Sequence, residues 1–244
     1  MLAPITANII SRLQKDILSL QGFRSVTSGL VTDMGLGPMK EAFPGNAFPV
    51  GAVHEFLAEG DENSAVSSGF IAGLLSPLMC GKGAVVWISS RRFIFPPALR
   101  QFGIMADRVI FIDVPKEKDK LWVMEEALKC NALSAVVAEI PEISFTNSRR
   151  LQLAVEQSRV TGFILRNNPR HLVNTASACR WRISALASEP EEGFPGVGFP
   201  RWKVELIKVR NGKPGAWEMM WAEGKFHHTG KNVCIIRELQ QKTG

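Results

Sequence analysis

Four short apolar runs stand out along the chain: Ala84–Ile88 (AVVWI), Val109–Ile112 (VIFI), Ala135–Ala138 (AVVA) and Gly162–Leu165 (GFIL). Each is too short for a buried helix and lacks the alternation of a half-exposed strand. Such runs suit strands of a parallel sheet covered on both faces. Helical stretches separate them, at Pro97–Phe102, Lys118–Cys130 and Asn147–Val160. Upstream, Ala52–Leu57 (AVHEFL) predicts a further strand. Ser64–Met79 predicts a helix weakened by Gly69, Gly73 and Pro77. A strand–helix alternation of this kind predicts an α/β sheet flanked by helices.

The pattern changes at both ends. Residues 7–20 place Ile10, Leu13, Ile17 and Leu20 on one helical face, and a Gly-rich stretch from Gly22 to Gly45 then reads as loop. Towards the C-terminus, Cys179–Ser184 (CRWRIS) and Arg201–Arg210 (RWKVELIKVR) alternate polar and apolar residues. Residues 187–200, rich in Pro, Gly and acid, read as an exposed loop. The turn signal Asn211–Gly215 (NGKPG) leads into Ala216–Trp221 (AWEMMW), which predicts a β-hairpin with Val204, Leu206, Met219 and Trp221 on its buried side. The expected organisation is an N-terminal helix and linker over 1–34, a core with its hairpin over 35–222, and a tail over 223–244.

Composition adds less. The 244 residues carry a net charge of +6, unevenly spread: residues 1–120 hold 12 basic and 11 acidic side chains, residues 121–244 hold 17 and 12. A basic half can attract nucleic acid. Arg149, Arg150, Arg166, Arg170, Arg180 and Arg182 are its candidate DNA contacts, with Arg166 and Arg170 flanking a loop after the GFIL run. An intramolecular salt bridge is the commoner use of the Arg149–Arg150 pair. Cys80, Cys130, Cys179 and Cys234 are widely spaced and form no C-x-x-C pair, so buried reduced thiols are expected, with no zinc site. Residues 1–20 show no signal-peptide pattern and no apolar run approaches membrane-spanning length, so a cytoplasmic protein is expected.

Catalytic motifs are tested next. A phosphate loop needs G-x-x-x-x-G-K-[ST], whose backbone amides cradle phosphate while the lysine neutralises charge and the hydroxyl holds magnesium. The chain has no such segment. Between the first strand and its helix it reads Ala58, Glu59, Gly60, Asp61, Glu62, Asn63, Ser64, Ala65, with three carboxylates where phosphate would sit. A solvated turn with Glu62 or Asn63 capping the helix is the expected structure. His54-Glu55 is not part of H-E-x-x-H, and His54 is expected to be a satisfied strand histidine. His227 and His228 have no third ligand nearby in sequence. Neither a cofactor nor a metal is expected.

In order along the chain, these pieces are similar to a known family. Phe48–Phe56 (FPVGAVHEF) resembles the segment entering the first core strand of RecA-like proteins. Gly83–Ser90, the PPALRQFGI stretch over 96–104, and Asp107–Phe111 resemble the elements that follow it. With Arg149–Ala154 (RRLQLA), the whole resembles the ImuA family, RecA- and SulA-related proteins of bacterial mutagenesis cassettes, over roughly residues 35–222. The resemblance implies a RecA-like, mostly parallel sheet and a role in SOS-induced, error-prone translesion DNA synthesis. It implies binding to an ImuB-like Y-family polymerase homologue. A DnaE-type error-prone polymerase, RecA and a second copy of the chain are further partners it allows, and the stripe of Ile10, Leu13, Ile17 and Leu20 is either a surface for them or folds back over the edge of the sheet. Against an active RecA, Ser64 replaces the phosphate-loop lysine and Ala65 the magnesium-binding hydroxyl residue. The acidic position that activates water falls among Ser89, Ser90 and Arg91. Glu139 alone can stand for the acid at the end of the fourth strand. The resemblance therefore implies an interaction protein that has lost its ATP machinery. Two alternatives are a SulA-like cell-division inhibitor and a residual ATPase.

Overall fold

The computed structural model describes residues 33–80, 83–91, 94–189 and 198–230. Its strands are β1 (Val53–Ala58), β2 (Ala84–Ser89), β3 (Val109–Asp113), β4 (Leu133–Glu139), β5 (Thr161–Asn167), β6 (Cys179–Glu189), β7 (Phe199–Val209), β8 (Gly215–Ala222) and β9 (Lys225–His228). Its helices are α1 (Gly60–Leu78), α2 (Glu117–Leu128) and α3 (Phe145–Ser158), and Pro96–Phe102 forms a 3-10 turn. All nine strands join one sheet in the order β3-β2-β4-β5-β1-β6-β7-β8-β9. From β3 to β6 neighbours run parallel, and from β6 to β9 they run antiparallel. The fold is thus α/β with a mixed, mostly parallel sheet, and none of its described helices is long and apolar enough to cross a membrane.

The doubly apolar runs serve both faces of this sheet. Along β2, Val85 and Trp87 enter one apolar layer with α1, while Val86 and Ile88 enter a second with α2 and α3. The same alternation holds along β4 for Val137 and Val136. In the first layer, Phe56 stacks on Trp181 with ring centroids 5.8 Å apart and planes 10° from parallel. The predicted hairpin residues Val204, Leu206, Met219 and Trp221 are all buried there.

Several expectations shift. The segment read as loop up to Gly45 contains two 3-10 turns, at Gly37–Ala42 and Pro44–Asn46, and delivers Met34, Leu36, Met39, Ala42 and Phe43 to the core. Their apolar spacing was hidden by intervening glycines. The sheet runs past residue 222, because Lys225–His228 pairs with β8. Cys179 is buried as expected, but Cys80 and Cys130 are exposed. The stripe of Ile10, Leu13, Ile17 and Leu20 lies outside the described residues, as does Cys234.

Candidate functional site

A cleft of about 350 Å³ opens where the parallel strands end, between α1 and the 94–102 segment. Open α/β sheets bind ligands at this end of their strands. One wall is the first three turns of α1, including Asp61, Ser64, Ala65 and Ser68. The facing wall is apolar, with Ile94, Phe95, Leu99 and Phe102, and the floor holds Glu139 from the end of β4 and Asn167 from the end of β5.

The route from β1 into α1 decides what this cleft can hold. β1 ends at Ala58 and α1 begins at Gly60, so Glu59 alone joins them. Gly60 makes this abrupt step with φ at +80°, a backbone region that favours glycine, and its N–H donates to Asn168 Oδ1 at 2.7 Å. Residues that a phosphate loop would need as open backbone are wound into the first turn of the helix. Ser64 and Ala65 lie further along it. Glu59 occupies the cap position without a side-chain capping bond, Asp61 and Glu62 lie in the first turn, and Asn63 Nδ2 donates back to the Glu59 carbonyl at 2.8 Å. The carboxylates stabilise the helix's positive end. They also repel phosphate: two like charges about 4 Å apart cost on the order of 4 kcal/mol at an effective dielectric of 20. Among the described residues, no lysine or arginine lines the cleft.

Glu139 is 8% exposed, and burial raises its pKa above the usual carboxylate value, partly opposed by the Trp87 indole and by Lys120. Its Oε1 lies 3.5 Å from Trp87 Nε1, and Lys120 Nζ donates to its backbone carbonyl at 2.9 Å rather than to its carboxylate. Ser89, at the end of β2, is buried, while Ser90 and Arg91 follow outside the strand.

The six candidate DNA contacts divide. Arg166 is fully buried, with Nη1 donating to Glu55 Oε1 at 2.7 Å and Nη2 to Glu142 Oε2 at 3.2 Å. Arg180 is 9% exposed and its Nε donates to Glu55 Oε2 at 2.8 Å, where Thr175 Oγ1 donates as well. Glu55 thus knots β1 to both neighbouring strands and to the 168–178 connection. Neither arginine is placed to reach a phosphate backbone. Arg149, Arg150 and Arg170 are exposed and Arg182 is half-buried. Arg149 lies 3.9 Å from Glu156, and Arg150 Nη2 donates to Glu125 Oε2 at 2.5 Å, the intramolecular bridge expected for this pair. The pair sits in the second turn of α3, whose N-cap Ser144 Oγ accepts from Asn147 N–H at 3.2 Å.

His54 is the satisfied strand histidine that was expected. Its ring stacks on Phe48 with centroids 4.5 Å apart; Nε2 donates to the Pro49 carbonyl at 2.7 Å and Nδ1 accepts from Trp181 Nε1 at 3.4 Å. Burial lowers its pKa to about 4. His227 Nε2 lies 3.1 Å from the Ala222 carbonyl, and the described residues contain no cluster of three potential metal ligands.

The chain is 36% identical over 199 residues to Protein ImuA from two strains of Caulobacter vibrioides, covering 77% of this chain and 82% of the relative. The chain belongs to the ImuA family. A weaker likeness, 26% over 100 residues, joins it to the cell division inhibitor SulA of Serratia marcescens, covering 39% of this chain and 60% of that protein. No family model matches the chain.

In this ImuA-family chain, sequence reasoning missed the Glu55 knot and the apolar wall of the cleft. The knot had a signal: apart from His54, Glu55 is the one polar residue in the Ala52–Leu57 run, and a buried acid needs a buried cation. The register supplies it, since Glu55 stands directly opposite Arg180. The wall had none, because Ile94 and Phe95 fall among prolines and arginines that read as an exposed turn.

Proposed function

We propose that this chain is a non-catalytic accessory protein of SOS-induced, error-prone translesion DNA synthesis. In this reading it acts by binding other proteins, with weak sequence-independent DNA affinity at most, and does not hydrolyse ATP. The observation that carries the non-catalytic part is the direct entry of β1 into α1 through Glu59, with Asp61 and Glu62 in the first helical turn. Membership of the ImuA family supports the pathway. The partners proposed on the same ground are an ImuB-like Y-family polymerase homologue first, then a DnaE-type polymerase and RecA. Arg149, Arg150, Arg170 and Arg182 are the arginines left to meet DNA.

A second reading, a SulA-like inhibitor of cell division, draws on the 100-residue likeness to SulA. The longer ImuA match favours the first. One genetic experiment separates them. Deleting the gene should abolish damage-induced mutagenesis and leave survival of undamaged cells unchanged. Overproducing the chain should not cause filamentation. Wild-type levels of induced mutation in the deletion strain, or filamentous cells on overproduction, would overturn the proposal.

A further inference from the structure

The cleft between α1 and the 94–102 segment has the features of a built site with an unassigned occupant. We propose that it receives an arginine or lysine side chain of a partner polypeptide, with the apolar residues flanking that side chain packed along Ile94 and Phe95. This rests on the reading of the chain as a protein-binding protein, and adds the contact and its chemistry.

The walls carry the hydroxyls of Ser64 and Ser68 and the amide of Gln101, while the floor offers buried acceptors. Glu139 is more than nine-tenths buried yet faces the cleft, and among the described residues its carboxylate accepts one hydrogen bond, the 3.5 Å approach of the Trp87 indole to Oε1. Its Oε2 accepts no hydrogen bond from any described residue. Asn167 Oδ1, beside it on the floor, is buried and also unpartnered. Asp61 adds a carboxylate at the rim. A buried carboxylate with no cation against it is unfavourable when ionised, and a cation placed there relieves that cost. Among the described lining residues there is no lysine or arginine to supply that cation.

Size and lining narrow the ligand further. About 350 Å³ is at the low end of small-ligand sites, roughly 300–1,000 Å³. That suits one long side chain better than a cofactor. The rim continues outward as Phe95, 69% exposed, and Ile94, half-buried. With Leu99 and Phe102 they make the apolar wall of the cleft continuous with its rim. A cationic side chain has an aliphatic stem and a donor head, and the cleft has an apolar wall and an acceptor floor.

The test uses the full chain labelled with ¹⁵N. The Trp87 indole signal, identified by its disappearance in Trp87→Phe, reports the state of Glu139. The probes are a capped Leu-Arg-Leu peptide and the same peptide with citrulline for arginine, which keeps the shape and loses the charge. The arginine peptide should shift the Trp87 signal saturably. The citrulline peptide, and the arginine peptide on Glu139→Gln, should each bind at least about tenfold more weakly. Glu139→Gln should keep or raise its melting temperature at pH 8, because it removes a desolvated charge; the lost binding then cannot come from unfolding. Equal affinity for the two peptides, no saturable shift, or undiminished binding by Glu139→Gln would overturn the proposal. So would a Trp87 signal that moves on dilution without peptide, which would make the occupant a second copy of the chain. Titrating magnesium and ATP against the same signal keeps the two readings apart. A shift with the peptide alone supports both, and a shift with both ligands sinks only the non-nucleotide reading.

Discussion

Glu55 is the position at which a single charge should matter most to this fold. Its carboxylate is fully buried and accepts from Arg166 at 2.7 Å, Arg180 at 2.8 Å and Thr175 at 2.8 Å. Glu55→Gln keeps the shape and removes the charge. Arg166, itself fully buried, and Arg180 then face an amide whose nitrogen donates where an acceptor is needed. Arg166 retains Glu142, a partly exposed partner at 3.2 Å. Removing one member of a buried ion pair typically costs about 3–5 kcal/mol, and this carboxylate serves two arginines. Urea denaturation followed by circular dichroism should show that loss. In a chain of this size it corresponds to a fall of roughly 6–20 °C in melting temperature. A triple change, Glu55→Leu with Arg166→Met and Arg180→Met, removes the charges together and should recover most of the stability, since apolar replacement of a whole buried ionic cluster is often neutral or better. If Glu55→Gln costs less than about 1 kcal/mol, the knot is not holding β1, β5 and β6 together and the reasoning fails.

Three more outcomes follow from the same structure. His54 has a folded pKa of about 4 against an ordinary value of 6.5, so the unfolded chain takes up the proton first as pH falls. Stability is complete above pH 6.5 and declines towards pH 4 by about 3 kcal/mol; His54→Phe should flatten the decline seen in urea titrations across that window. Gly73→Ala should cost about 1–3 kcal/mol, because its Cβ would lie 2.5 Å from the Phe226 ring and 3.1 Å from Trp221; an unchanged melting temperature would contradict the close approach of α1 to β8 and β9. Arg170→Ala with Arg182→Ala should weaken any DNA affinity and lower its salt slope by roughly 2 between 50 and 200 mM salt. Arg166→Met in samples shown to be folded should leave the slope unchanged.

How far the sequence revealed this protein depended on which signals were local. Strands apolar on both faces declare themselves, so the β1–β5 core was legible to within a residue or two at most ends. The start of α1 was not, because Asp61, Glu62 and Asn63 read as a solvated turn. The same acids favour a helix N-terminus, and only the left-handed Gly60 let the helix begin four residues sooner. The lack of a phosphate-loop motif was legible because it is read directly from the residues. The fate of the arginines was not: whether a guanidinium faces DNA or a buried acid depends on strand register. Arg166 and Arg182 occupy comparable strand positions in sequence, yet one is wholly buried and the other half-exposed. The cleft was invisible for a related reason, since its walls come from segments about thirty to a hundred residues apart.

The central claim is that the strand-to-helix junction of this ImuA-family chain no longer accepts nucleotide. Titration of the full chain with a fluorescent ATP analogue and magnesium tests it directly. The account predicts no saturable binding below about 100 μM, the affinity that corresponds to roughly −5.5 kcal/mol. Saturable binding in that range, displaced by unlabelled ATP, would contradict it.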